Sequence, residues 1–427
     1  MKATFLADVV LPERGDEAHV DLLIEGHEIV AIDAAGQRDA PRGAQRIEGQ
    51  GHLCFPGFID DHVHLREPGL EHKEGYATGT RAAVAGGVTT ILEIQNNPPL
   101  MTDRQAVLEK LATVRPKSLV NVGVYGSLVP AAAGHLSEMS DLVAGYKLFM
   151  GPSTGGLDVT GTERLRTLFR EVATTGHWLF VHAEDGPSIA AGLARHGDDG
   201  AASWHLARSA AAEVLATEQA IALGAELGTR VHIFHMSTAG ATDLVRQARG
   251  DGLAVSSGTC PHYLYFTHEE TARMGPLLKV NPSIKTAVDQ ERLIEGLRNG
   301  DIDCLSSDHA PHTAEEKARP FAQAPSGIPC LDIFMPLCLT LARRGLLSVE
   351  RVIDRAAGRP AELHGFTRKG SVAPGMDADL VLVDPQEVRA VRGAEHHSKA
   401  KQTPYEGLEL WGWPRTTLVM GQVVHER

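Results

Sequence analysis

The sequence predicts an α/β protein: a (β/α)8 barrel of the TIM type with a small β-sandwich domain built from both termini. Three observations predict it. Short apolar runs alternate with amphipathic stretches through the middle of the 427 residues, as parallel strands alternate with their crossover helices. The polar residues able to carry chemistry fall at the C-terminal ends of several different apolar runs, where barrels of this kind gather an active site. Both ends of the chain share a further texture, short β-like runs broken by turns. Alternation alone also fits a doubly wound open sheet; the placement of the polar residues favours the barrel.

The expected divisions are residues 1–55 and 366–427 for the two parts of the small domain, and 56–365 for the barrel. In the first part, "VDLLIEGHEIVAID" places Glu25-Gly26-His27 as the turn between two strands. In the last, "ADLVLVD" and "TTLVMGQVVHE" read as strands. Between them "GVTTILEI" precedes "DRQAVLEKLATV", "HWLFVHAE" precedes "RSAAAEVLATEQAIALGAEL", "RVHIFHMS" precedes "GATDLVRQARGD", and "AVDQERLIEGLRNG" leads into "IDCLSSDHA". A body of about 300 residues removes roughly three quarters of its unfolded surface from water, so neither a disulfide nor a structural metal is needed to hold it. Any metal is expected to be functional.

Composition narrows the function classes. The 54 acidic against 41 basic residues give a formal net charge of −13, spread along the chain. That balance argues against nucleic acid or an anionic membrane as partner, and it requires locally placed cations for any anionic substrate. The five cysteines, Cys54, Cys260, Cys304, Cys330 and Cys338, form no C-x-x-C and suit a reducing compartment. The start "MKATFLADVVLPERG" lacks the form of a secretory signal, and no run reaches 18 apolar residues. The expected location is the cytoplasm.

His62 and His64 stand two apart in "PGFIDDHVHLREPG", and the period of a strand puts both imidazoles on one face. His182 in "LFVHAED" and His235 in "HIFHMS" end two further strands. Singly, each reads as a hydrogen-bonded core histidine; together the four imidazoles suit a Zn-like ion better than a hard, oxygen-preferring cation. Asp308 in "CLSSDHA" adds a carboxylate to the same rim. Lys147 in "GYKLFM" cannot ligate as an ammonium, but carbamylation by carbon dioxide would make it an anion able to bridge two ions. Its alternatives are a solvated cation or a phosphate anchor. Metal coordination lowers the pKa of water from about 15.7 to about 7, so the expected chemistry is hydrolysis. Asp308 is the candidate general base, passing the proton to a leaving nitrogen.

Read together, "PGFIDDHVHLREPG", "GYKLFMG", "VHAED", "HIFHMST", "CPHYL", "VNPSIK", "SSDHAPHTAEEK", "APSGIP" and the closing "TPYEGLELWGWPRTTLVMGQVV" resemble the cyclic amidohydrolase superfamily, and within it the dihydroorotases, over nearly the whole chain. The resemblance implies two zinc ions per chain, with His62, His64 and Asp308 on one, His182 and His235 on the other, and carbamylated Lys147 bridging them. It implies reversible hydrolysis of (S)-dihydroorotate to N-carbamoyl-L-aspartate in de novo pyrimidine biosynthesis, by a metal-bound hydroxide with Asp308 as general acid/base. Arg66, Asn96 and His312 would hold the substrate carboxylate, for which a planar guanidinium is a matched pair of donors. Asn281, Ser326 and Gly327 would touch the substrate ring, largely through backbone groups. The neighbours of Asn96 in "IQNNPP" depart from the usual Pro and Thr. Lys73, Glu74 and Glu316 read as loop supports, and Ser209 stands where related chains often have Pro.

Another cyclic amide hydrolase, an allantoinase, hydantoinase or dihydropyrimidinase, would share the metal ligands. Allantoinases generally place Asn where Arg66 stands and lack the second His of "DHAPH"; dihydropyrimidinases usually carry Tyr after the lysine motif, where this chain has "FMGPSTG". Both differences favour a substrate with a carboxylate. A catalytically silent dihydroorotase-like scaffold is expected to lose metal ligands, and none of the six is missing. The expected partner is a small molecule bearing a carboxylate, with no nucleic acid and no membrane; a homo-oligomer is compatible with this reading.

Overall fold

Strand β4 (Gln45–Pro56) joins the two parts of the architecture, because only Gly57 separates it from β5 (Phe58–Val63), the first barrel strand. A Cβ at position 57 would lie 2.1 Å from the Thr89 hydroxyl oxygen, so this crossing point requires glycine. The computed structural model describes residues 3–14 and 18–427. Residues 1–2 and 15–17, which belong to the first expected division, lie outside the described residues.

Both ends of the chain build one mixed sheet. Strands β1 (Ala3–Val10), β2 (His19–Glu25), β3 (Glu28–Ala34) and β4 join β14 (Leu380–Val383), β17 (Pro414–Val419) and β18 (Gln422–Glu426) in the order β18-β17-β14-β4-β1-β2-β3. Gly26, at φ +67°, makes the turn between β2 and β3. Alternation along these strands buries Leu6, Leu22, Ile24, Leu380 and Leu418 in one cluster and Phe5, Ala7 and Leu23 in another. Strands β15 (Val388–Ala390) and β16 (Glu409–Trp411) pair separately.

The barrel strands are parallel and buried on both faces, so their sequences read as apolar runs. Strands β5, β6 (Val88–Glu93) and β7 (Asn121–Val124) form one arc. The other arc contains β8 (Gly126–Ser127), β9 (Tyr146–Phe149), β10 (Trp178–His182), β11 (Arg230–Ile233), β12 (Val255–Thr259) and β13 (Cys304–Leu305). Strands β7 and β8 are one strand interrupted at Tyr125, which joins the arcs on one side. On the other side a parallel bridge from Val63 to His309 and the His64 N–H donating to the His309 carbonyl at 2.8 Å close the ring.

The crossover helices follow from spacing and caps. Leu165, Leu168, Phe169 and Val172 place one buried stripe on the helix Thr162–Thr175, which stops at Gly176 with φ +73°. Ser209 caps the helix Ala210–Leu227 by accepting from the Ala212 N–H, which gives a physical reason for a serine at that position. Inside the barrel Phe180 packs on Phe234, and the His364 ring stacks on Phe180 with an interplanar angle of 9°. All five cysteines are buried and unpaired. Among the described residues no helix is long and apolar enough to cross a membrane.

Candidate metal centre and active-site cavity

The C-terminal ends of the barrel strands bring distant residues into one small volume. His62 lies within β5 and His64 just past its end. The His64 Nδ1–H donates to the Ile94 carbonyl at 2.9 Å, which leaves Nε2 free to ligate. The Nε2 atoms of His62 and His64 each stand 3.4 Å from the same Asp308 Oδ1. One ligand atom from each of the three lies within 4.8 Å of the others, the geometry of a metal-binding group.

His182 and His235 continue this cluster from β10 and from just beyond β11. His182 Nδ1 faces His235 Nε2 at 3.1 Å, and the His235 ring centroid is 5.1 Å from that of His62. His182 Nε2–H donates to Glu184 at 2.8 Å, and Glu184 in turn accepts from Arg208 Nε at 3.1 Å. This carboxylate fixes the ring and turns Nδ1 toward its neighbours, as the outer partners of metal-bound imidazoles do. Sequence reasoning missed Glu184 and Arg208. The available signal was the carboxylate two residues after His182 in "VHAED".

The electrostatics suit neutral ligands. Burial holds His62, His235 and His182 below the ordinary histidine range, in His182 against the raising effect of Glu184. Burial of Glu184 alone would raise its carboxyl; Arg208 and His182 outweigh that and hold it well below the usual carboxylate range. Lys147 is buried, among the described residues its Nζ has no hydrogen-bond partner, and it sits 4.5 Å from the Phe234 ring centroid and 4.9 Å from that of Phe149. Burial pushes its pKa down to about 7. His62 Nδ1 and His235 Nδ1 are likewise buried without partners. Neutral imidazoles, a carboxylate and an unpartnered amine form a donor set that fits divalent zinc.

Arg66 reaches the same cavity by a route that strand alternation does not supply. Its φ of +65° turns the chain just after the extended run, and Asp308 and His235 are also left-handed, at +46° and +40°. Such backbone is uncommon for residues other than glycine and collects at functional sites. Arg66 is buried, donates from Nη1 to Asn96 Oδ1 at 2.8 Å, and is lowered by burial only to about 10, so it remains cationic.

His62, His64, Arg66, Asn96, His182, His235, Asn281, Asp308, Ser326 and Gly327 all line one cavity, together with Ser153 and Thr154. Lys147 and His312 do not form its wall. His312 lies behind Arg66, with Nε2–H donating to the Ser326 carbonyl at 3.0 Å and Nδ1 accepting from Lys73 at 3.4 Å. Burial and the cations Arg66, Lys73 and Lys317 hold this imidazole neutral. The loop supports meet one another: Lys73 pairs with Glu316 at 3.0 Å, and Glu74 binds Ser398 and the Lys399 N–H.

A sequence profile of the amidohydrolase family matches residues 53–424, and the chain belongs to that family. Members are generally metal-dependent, and the His62–His64–Asp308 group offers the place for an ion. Similar proteins narrow the class. The chain is 37% identical to the dihydroorotase of Halobacterium salinarum, over 95% of this chain and 93% of that one. It is 33% identical to the dihydroorotase of Geobacter metallireducens, over 98% of both. Among solved structures, the L-hydantoinase (dihydropyrimidinase) from Arthrobacter aurescens superposes with a TM-score of 0.94 at 30% identity, covering 100% of this chain and 96% of that one. The dihydropyrimidinase from Brevibacillus agri superposes with a TM-score of 0.88 at 26% identity, covering 99% and 95%.

Proposed function

We propose that the chain acts as a dihydroorotase, reversibly hydrolysing (S)-dihydroorotate to N-carbamoyl-L-aspartate in de novo pyrimidine biosynthesis. One observation carries the choice within the family: the Arg66–Asn96 pair opens onto the same cavity as the His62–His64–Asp308 group. A buried guanidinium beside an amide is a receptor for a carboxylate, and the relatives named dihydroorotase, 32–37% identical, support the same choice.

In this reading His62, His64 and Asp308 would hold one zinc ion and His182 and His235 a second, with carbamylated Lys147 as a further anionic ligand of the pair. Zinc bound there would supply Lewis acidity and a water whose pKa is lowered to about 7. Arg66 and Asn96 grip the substrate carboxylate, with His312 steadying Arg66 from behind. Asn281, Ser326 and Gly327 border the ring. Asp308 accepts the proton released as water adds to the carbonyl and returns it to the ring nitrogen as the C–N bond breaks. The five buried, unpaired cysteines support a cytoplasmic enzyme, with a small anionic substrate as its partner and a homo-oligomer compatible with it.

The experiment is a side-by-side assay of the zinc-loaded chain on dihydroorotate, dihydrouracil, hydantoin and allantoin. Turnover of dihydroorotate well above the other three is the expected result. Faster turnover of a ring without a carboxylate would transfer the assignment to a hydantoinase or dihydropyrimidinase.

A further inference from the structure

Two lysines outside the reaction chemistry hold the far wall of the cavity. Lys279 and Lys317 are buried, and among the described residues neither ammonium has a carboxylate partner. Lys279 Nζ donates to the Phe321 carbonyl at 2.6 Å and to that of Ala324 at 2.8 Å. Lys317 Nζ donates to the Pro325 carbonyl at 3.1 Å and to that of Gly327 at 2.9 Å. The Gly327 N–H returns a bond to the Lys279 carbonyl at 2.9 Å. Two buried lysine Nζ groups thus collect four carbonyls from seven consecutive loop residues. A buried charge without a counter-ion is costly unless its donors are filled, so the loop conformation and the lysines require each other.

The two oxygens of Ser326 are also taken. Its carbonyl accepts from His312 at 3.0 Å, and its hydroxyl donates to Asn281 Oδ1 at 3.0 Å. Among the described residues its N–H has no partner. At Gly327, φ is +137° and an added Cβ would lie 2.5 Å from the Ala310 carbonyl oxygen, so the loop seats against its surroundings without slack.

We propose that Lys279 and Lys317 are positioning residues: together they clasp the segment 321–327 by its carbonyls, so that the Ser326 N–H is left as a donor on the cavity wall. The role in substrate binding rests on the proposed reading of the cavity as a site for a ring with a carboxylate; the clasp itself does not.

The test compares Lys317→Met and Lys279→Met with the wild type, as zinc-loaded full-length protein. Each variant should raise KM for dihydroorotate at least about tenfold while kcat changes less than about threefold, with zinc content unchanged. Hydrogen exchange at Ala324 and Gly327 in the ligand-free protein should accelerate at least about tenfold, with little change in the rest of the barrel. Wild-type KM and wild-type exchange in both variants would overturn the clasp. A wild type that leaves dihydroorotate untouched would instead remove the proposed function, and exchange alone would then decide the clasp. Should both variants fail to fold, wild-type exchange of these two amides at the rate of an unprotected loop would overturn it, and strong protection would uphold it.

Discussion

Arg66 donates through Nη1 to Asn96 Oδ1 at 2.8 Å, which aims a buried guanidinium into the cavity that also holds Asp308. If Arg66 holds the substrate carboxylate as proposed, replacing it with Ala removes a charge-assisted contact without touching a proposed metal ligand. The expected cost is about 2–4 kcal/mol in kcat/KM for dihydroorotate, roughly 30- to 900-fold. Zinc analysis should find the metal content of the variant equal to the wild type. Unchanged kcat/KM would place the carboxylate elsewhere.

Glu184 orients His182 and neutralises Arg208. In Glu184→Gln the ring loses its anionic anchor and a buried arginine loses its counter-charge. Metal affinity should fall by roughly 10- to 100-fold, read by competition with a zinc chelator, and Arg208 should make the variant less stable to heat. An affinity equal to the wild type would mean that His182 is held by packing alone.

Burial lowers Lys147 to about 7, against about 10.4 for an ordinary lysine. Carbamylation needs the neutral amine, whose fraction rises as pH rises through the lowered value. Metal-free protein given zinc and labelled bicarbonate should therefore form the carbamate far more completely near about pH 8 than near about pH 6. Carbon NMR would follow the signal, which Lys147→Met should abolish. A yield that climbs only toward about pH 10 would indicate an unperturbed amine.

Asp303 pairs with Arg249 at 3.0 Å and Arg359 at 2.9 Å beneath the barrel. Burial by itself would raise this carboxyl, but the two arginines and Ser256 outweigh it and the net shift is downward. A carboxylate lowered on folding contributes stability that is fully present above its unfolded value of about 3.9 and disappears as pH falls through the folded value. Asp303→Asn should cost about 2–3 kcal/mol near neutrality. The difference in thermal midpoint between variant and wild type should shrink below about pH 4; a gap that stays constant with pH would assign the cost to packing.

The alternation of apolar runs and helical stretches made the barrel legible, because strands buried on both faces need little else from their sequence. His62 and His64 could be paired from spacing alone, since the period of a strand is local. Arg66 shows where that reasoning ends: it also stands two residues on, yet a left-handed turn and not a strand face brings it into the cavity. Arg208 and the lysine clasp escaped for a different reason. Their partners, the Glu184 carboxylate and carbonyls of distant loops, meet them only in the completed fold, so no spacing in the chain announces them. Strand β13, only Cys304–Leu305, is likewise too short to carry a period.

The strand that delivers His62 follows directly from β4, whose partners are β1 on one side and β14 on the other. A chain growing from the ribosome at about 5–20 residues per second reaches β14 roughly 15 s to a minute after β4 has emerged. Throughout that interval one edge of β4 is open to any extended segment nearby. The chain breaks the strand near its middle, where Gln50 and Gly51 take left-handed backbone and the register against β1 slips. An edge interrupted in this way is a poor template for a stranger, and Leu53–Pro56 is kept for the chain's own Leu380–Val383.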